Sequence, residues 1–173
     1  MNILSVDLEL DGLEIIQVGF STNEDHFPKY DWMVYKRDLS EHFINLTGIS
    51  QIENYKFGYS KEQVNIGITQ FIQEYKPNLV IDWGANDFHQ MKKYFDLKFP
   101  YIPHVDVKSI YSFLQIAKKK NYRGKLQGAM AQYKLKFSGR PHRADVDAYN
   151  TLRFFNELLR TQTIVQDFIK EIK

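Results

Sequence analysis

The first residues of the chain alternate. Ile3, Ser5, Asp7 and Glu9 fall on one face of an extended backbone, and Leu4, Val6, Leu8 and Leu10 on the other. Period two marks a strand, and the aliphatic face is expected to look into a core. Asp11-Gly12 supplies a turn, and the short β-branched run Glu14 to Phe20 is expected to return as the second strand of a hairpin. A third strand is expected over Asp31 to Tyr35, whereas Ser40 to Ser60 shows no single period. From Lys61 to Tyr75, apolar residues at Val64, Ile68, Phe71 and Ile72 predict a helix ended by Pro77. Leu79 to Trp83 reads as a buried strand, Gly84 as a turn, and the residues through Tyr94 as a helix. His104 to Asp106 is a candidate short strand. Helices are expected over about Lys108 to Lys120 and Leu126 to Leu135, separated at Gly124. After the loop Phe137 to Pro141, the spacing of Ala148, Leu152, Phe155, Leu158 and Leu159 predicts a long amphipathic helix, and the tail from Thr163 another. Strands first, then alternating helices and strands, predict an α/β chain with a mixed sheet flanked by helices.

With 173 residues the chain is long enough to bury a core without cross-links, and one domain spanning residues 1–173 is expected. No apolar run approaches the roughly 20 residues of a membrane span, so no membrane partner is expected. The N-terminus lacks the basic flank and apolar run of a secretory signal, and a cytoplasmic location is expected. The absence of cysteine rules out disulfides and thiolate metal sites, so any metal must be held by carboxylates, histidines and water, which suits hard ions.

The net charge of +2 says little until it is located. Between Val107 and Arg143 there is no Asp or Glu, while Lys108, Lys118, Lys119, Lys120, Arg123, Lys125, Lys134, Lys136, Arg140 and Arg143 are all basic. Such a stretch is either a solvated face or an electrostatic footprint for a polyanion.

Three short patterns carry candidate chemistry. In Asp7-Leu8-Glu9, two carboxylates at i and i+2 of a strand share a face and repel one another, a conflict that a cation resolves; a solvated acidic strand end is the plainer alternative. Asp87 follows the strand end Asp82-Trp83-Gly84, where α/β folds place ligands, and is either a helix cap or a metal ligand. His142 and Asp147 lie at the entry to the long helix, where the histidine is either a cap or a proton acceptor.

Taken in order, these patterns resemble the DEDDh family of 3′-to-5′ exonucleases, which includes RNase T, oligoribonuclease and polymerase proofreading domains. Glu14 to Gly19 looks like its second-strand motif, Leu39-Ser40 with Leu46 to Ser50 like the segment before its first long helix, and His142 to Ala144 with Asp147 to Thr151 like its third motif. Trp83-Gly84 with Asp87 is most similar to the branch that trims RNA ends. The resemblance implies an RNase H-like fold with a mixed five-stranded sheet flanked by helices. It also implies two ions, Mg²⁺ or Mn²⁺, about 4 Å apart and held by Asp7, Glu9, Asp87 and Asp147, with His142 as general base. The implied substrate is the 3′ end of single-stranded RNA or DNA, released as nucleoside 5′-monophosphates. Leu8, Leu10, Trp83 and Arg143 are candidate substrate contacts, although for Trp83 a place in the core is the plainer alternative. A catalytically weak or inactive nucleic-acid-binding module on the same fold is the alternative reading of the whole chain. Two positions depart from the family pattern: Leu10 stands where a hydroxyl residue is common, and Asp145 where an apolar residue is. The histidine spacing favours Asp147 over Asp145.

Overall fold

The computed structural model describes residues 1–23, 30–84, 86–119, 121 and 124–172. β1 (Ile3–Asp11) sits at the middle of the sheet, antiparallel to β2 (Glu14–Thr22) on one side and parallel to β4 (Leu79–Asp82) on the other. β3 (Tyr30–Met33) adds antiparallel to β2 and β5 (His104–Asp106) adds parallel to β4, which gives the order β3-β2-β1-β4-β5. This is the mixed five-stranded sheet of an RNase H-like fold.

A middle strand has a core on each side. Leu4, Val6 and Leu8 pack with Val64, Ile68, Phe88 and Met91 under α3 (Lys61–Tyr75) and α4 (Asp87–Tyr94). Ile3 packs on the opposite face with residues of α5 (Val107–Ala117), α6 (Leu126–Gln132), α7 (Ala144–Thr161) and α8 (Thr163–Ile172). Along β1 that second face runs Ile3, Ser5, Asp7, Glu9, so it begins in the core and ends in carboxylates under the start of α7.

Leu10 does not face the core as its place in the alternation predicts. The β1–β2 ladder slips between Glu9 and Leu10, the period breaks there, and Leu10 is 38% exposed. β3 ends at Met33 rather than Tyr35; beyond it the Val34 N–H still donates to the Ile16 carbonyl, while Val34 also forms an isolated bridge with Tyr59. The segment without a period holds two short helices, α1 (Glu41–Thr47) and α2 (Gln51–Phe57). Each is only two turns long, too short to display periodicity, and is set by a serine cap: Ser40 accepts from the Phe43 N–H and Ser50 from the Glu53 N–H. α5 stops at Ala117, short of the expected Lys120, which lies outside the described residues along with Arg123. α6 stops at Gln132 rather than Leu135, and Lys134 turns left-handed with φ 60°.

Candidate active site

β1 fixes the first two carboxylates, and the remaining groups are brought to them by close backbone approaches. A Cβ on Gly19 would lie 2.0 Å from the carbonyl carbon of Ala144, so only glycine lets β2 touch the first turn of α7. Beside it, Gln17 Oε1 accepts the N–H of Ala144 at 3.0 Å, answering one of the amides a helix start leaves open. The loop before α7 is tied down by Asn150, whose side chain receives the Ser138 N–H and donates to the Ser138 and Val146 carbonyls. The glutamine and glycine of Glu14 to Gly19, and the asparagine of Asp147 to Thr151, thus position α7. The Leu46 to Ser50 segment approaches the same loop, because a Cβ on Gly48 would overlap the Arg140 guanidinium.

Two left-handed residues stand at the helix entries. Asn86 (φ 59°) is the cap residue of α4, which makes Asp87 its first helical residue and removes the capping role from Asp87. His142 (φ 62°) lies one residue before Arg143, the cap residue of α7, so it does not cap either. Its N–H instead donates to Asp147 Oδ2 at 3.0 Å.

Glu9, His142 and Asp147 offer ligand atoms within 4.8 Å of one another. Asp7, Trp83, Lys108, Lys125, His142 and Asp147 line one cleft of about 250 Å³ with Leu126, Phe137 and Pro141. Asp7 keeps some surface open to this cleft and is enclosed on its other sides. Burial drives its pKa well above the carboxylate range, with Asp87, Asp147, Glu9 and Asp82 adding repulsion in that order. Burial first, then Asp147 and Asp87, pushes Glu9 up to about 8, against which Arg143 pulls downward. Burial and the neighbouring Asp82 raise Asp87 to about 7, and burial raises Asp147 to about 6. Among the described residues none of the four is ion-paired with lysine or arginine, and Asp147 Oδ1 is buried without a hydrogen bond. Four crowded carboxylates, one with an unanswered oxygen, are the donor set that hard divalent cations take. Partial enclosure lowers the pKa of His142, and Lys125 lowers it further.

A family model described as exonuclease, of the RNase T type, matches residues 11–155, most of the chain. The chain belongs to the RNase T exonuclease family. The matched span starts just after Glu9 and takes in Asp87, His142 and Asp147. Several solved structures share the fold at low identity. The nuclease domain of 3′hExo, a DEDDh family member bound to rAMP, is 19% identical with a TM-score of 0.72, covering 93% of this chain and 92% of that one. Cell-death related nuclease 4 is 15% identical with a TM-score of 0.75, over 93% of this chain and 64% of that one. Exonuclease I of E. coli, in complex with a dA16 oligonucleotide, is 12% identical with a TM-score of 0.77, over 96% of this chain and 42% of that one. The chain thus spans less than two thirds of two of these proteins. No curated protein sequence matches it.

Within this RNase T-family fold, the other candidate contacts are placed unequally. Leu8 is buried in the core below the site, so its side chain is withdrawn from the cleft. Leu10 lies in a separate groove with Leu13, Lys61 and Tyr94. Trp83 packs edge-on against Phe154 and also lines the cleft. Arg143 is engaged by Glu53 of α2 at 2.8 Å. Asp147 rather than Asp145 is among the charges acting on Asp7 and Glu9. Asp82 is fully buried, with His104 Nε2 2.8 Å from its Oδ2, a contact of ion-pair length without hydrogen-bond alignment. The pair raises the His104 pKa. Pattern reading did not single out Lys125 or Lys108 within the basic stretch, nor His104, because only the fold brings them to the carboxylates.

Proposed function

We propose that the chain is a 3′-to-5′ exonuclease that trims single-stranded RNA or DNA to nucleoside 5′-monophosphates with two divalent ions, Mg²⁺ or Mn²⁺. The observation that carries this reading is the mutual repulsion of Asp7, Glu9, Asp87 and Asp147, held on β1, α4 and α7, with no lysine or arginine paired to them among the described residues. Asp7, acted on by all three of the others, would hold the ions together with Glu9, Asp87 and Asp147. When bound, the ions supply positive charge that acidifies an attacking water and offsets charge on the leaving 3′ oxygen.

The protein's own groups do the rest. An imidazole nitrogen of His142 accepts the proton of the attacking water, and the lowered pKa keeps the ring in its neutral, accepting form at neutral pH. The His142 N–H holds Asp147 Oδ2, which leaves Oδ1 for a cation. Trp83, Phe137 and Leu126 give the cleft an apolar wall suited to a terminal base, and Lys108 and Lys125 place positive charge beside it for phosphate. The fold relatives bound to rAMP and to dA16 support a nucleotide product and a single-stranded substrate.

The test uses end-labelled RNA and DNA strands of equal sequence with Mg²⁺, Mn²⁺ or EDTA. The expected outcome is progressive shortening from the 3′ end with mononucleotide release, abolished by EDTA. Internal cleavage without end trimming, or full activity in excess chelator, overturns the reading.

A further inference from the structure

Asp82 is fully buried at the end of β4, and neither of its oxygens takes part in an aligned hydrogen bond. A carboxylate in that state is costly unless a cation stands beside it. Among the described residues its ion-pair partner is His104 of β5, whose Nε2 lies 2.8 Å from Asp82 Oδ2. The register explains the meeting. Val80 pairs with His104 and Asp82 with Asp106, so Asp82 and His104 share the sheet face on which Val80 packs with Phe88 and Met91 of α4. Asp106 is engaged elsewhere, because its carboxylate accepts the Lys108 and Ser109 N–H groups at the start of α5. Among the described residues His104 belongs to no group of three metal-ligating side chains, so any part it plays in holding an ion is indirect.

The His104 ring is packed by the two residues that follow Asp87. Its centre lies 5.0 Å from that of His89, nearly perpendicular to it, and 6.0 Å from that of Phe88. The start of α4 lacks the usual fixing, since its cap residue Asn86 makes no side-chain cap bond. Asp82, His104, Phe88 and His89 therefore form a line of contacts from the end of β4 to the first turn of α4, and Asp87 is the first residue of that turn. Asp87 also feels the pair electrically: burial is the main cause of its raised pKa, Asp82 adds to it and His104 opposes it.

We propose that His104, held by Asp82, is a positioning residue that seats the first turn of α4 and so aims the Asp87 carboxylate at the metal ions. The proposal rests on the two-ion reading for what Asp87 ligates, and it gives the Asp82 and His104 pair a part in metal affinity. Groups that orient a ligand from behind commonly contribute as much to affinity as the ligands' own setting requires, and losing one weakens metal binding by about 10- to 100-fold.

The experiment compares wild type with His104→Ala, with His89→Ala and with the double variant Asp82→Asn/His104→Phe. Mn²⁺ affinity is read by calorimetry, single-strand affinity by anisotropy in EDTA, and hydrolysis as a function of Mn²⁺ concentration. His104→Ala is expected to bind Mn²⁺ at least about tenfold more weakly and to need correspondingly more Mn²⁺ for half-maximal rate. Saturating Mn²⁺ should restore its turnover, and strand affinity in EDTA should match wild type. The double variant should recover most of the lost Mn²⁺ affinity, because phenylalanine keeps the ring and asparagine removes the charge that would be left unanswered. His89→Ala removes an exposed ring and one of the two packing contacts, so it should fold and weaken Mn²⁺ binding by a smaller factor. Unchanged or tighter Mn²⁺ binding in His104→Ala, with only the thermal midpoint lowered, overturns the proposal. A double variant as weak as His104→Ala places the effect in the charge rather than in the seating of α4, and the proposal fails. If His104→Ala does not fold, wild-type Mn²⁺ affinity in His89→Ala overturns it instead. Should wild type bind Mn²⁺ yet hydrolyse no strand, the exonuclease reading fails while the Mn²⁺ comparison still decides the positioning role; should wild type bind no Mn²⁺, both fail.

Discussion

The backbone N–H of His142 donates to Oδ2 of Asp147, five residues further on, so the two functional groups at the entry to α7 are joined by one hydrogen bond. His142 takes φ 62° as it makes this bond, a left-handed conformation that costs most residues energy and that asparagine tolerates well. The geometry thus couples the proposed proton acceptor to a proposed metal ligand through the main chain.

Asparagine at position 142 is therefore the informative substitution. His142→Asn keeps the left-handed turn and the N–H to Asp147 but removes the imidazole. The expected result is unchanged thermal stability and strand affinity with kcat lower by about 10²- to 10⁴-fold. Near-wild-type turnover in this variant would remove the general-base role. His142→Ala would lose activity as well, but it also strains the turn, so its loss could not be assigned to the ring alone.

Much of this arrangement could be read from the residues, and the unread part has physical causes. The Asp7 to Glu9 pair is visible because it obeys a local rule of strand geometry, and Asp87 because it follows a strand end, whereas the His142 to Asp147 spacing is legible only through the resemblance to the exonuclease family. The hairpin, α3 and α7 follow from periodicity and alternation, and the order of the strands comes from the structure alone. Leu10 was misplaced because a slip in the ladder leaves no trace in the hydrophobic pattern. α1 and α2 were missed because seven residues cannot establish a period, although Ser40 and Ser50 were present as caps. The partner of Arg143, Glu53, lies 90 positions away and leaves no sign in the local sequence. The tie between Gln17 and Ala144 is likewise beyond any local reading, although both motifs that contain these residues were recognisable.

The neighbouring acids at 145 and 147 make distinct predictions. Asp147 acts on Asp7 and Glu9 and has a buried oxygen without a partner, and Asp145 is absent from the charges raising either group. Asp147→Asn should abolish exonuclease activity and weaken Mn²⁺ binding measured by calorimetry. Asp145→Asn should leave both largely intact. The reverse pattern would transfer the ligand assignment to Asp145.

Stability should fall as pH rises when divalent ions are absent. Asp7, Glu9, Asp87 and Asp147 all have folded-state pKa values above their unfolded ones, Glu9 up to about 8, Asp87 about 7 and Asp147 about 6. In the window between the ordinary carboxylate range and about 8, the folded state binds more protons than the unfolded state. The slope of stability against pH is then negative. Their contribution is fully present below the ordinary carboxylate range and is lost as pH climbs through the raised values. The thermal midpoint in EDTA should decline across that window, and Mn²⁺ or Mg²⁺ should restore most of it at the alkaline end, because binding to the folded form alone raises stability. A midpoint that rises with pH in EDTA, or ignores the metal at pH 8, would contradict an uncompensated carboxylate cluster.

Lys125 provides the last test, because two physical effects on it point in opposite directions. It occupies the cap position of α6 with no side-chain cap bond, where the helix dipole disfavours a positive charge. Removing the charge should therefore leave stability unchanged or slightly raised. In the cleft, however, Lys125 adds to the effect of burial in lowering the pKa of His142. Lys125→Met should raise that pKa, so the imidazole stays protonated to higher pH and the acidic limb of the pH–rate profile moves upward. Loss of one phosphate contact should also reduce the slope of log affinity against log salt for a single strand by about 0.7. A purely structural lysine would change the melting curve and leave both the limb and the slope in place. If the limb stays fixed while the salt slope falls, Lys125 contacts the strand without tuning the base, and the proton acceptor's environment is set by burial alone.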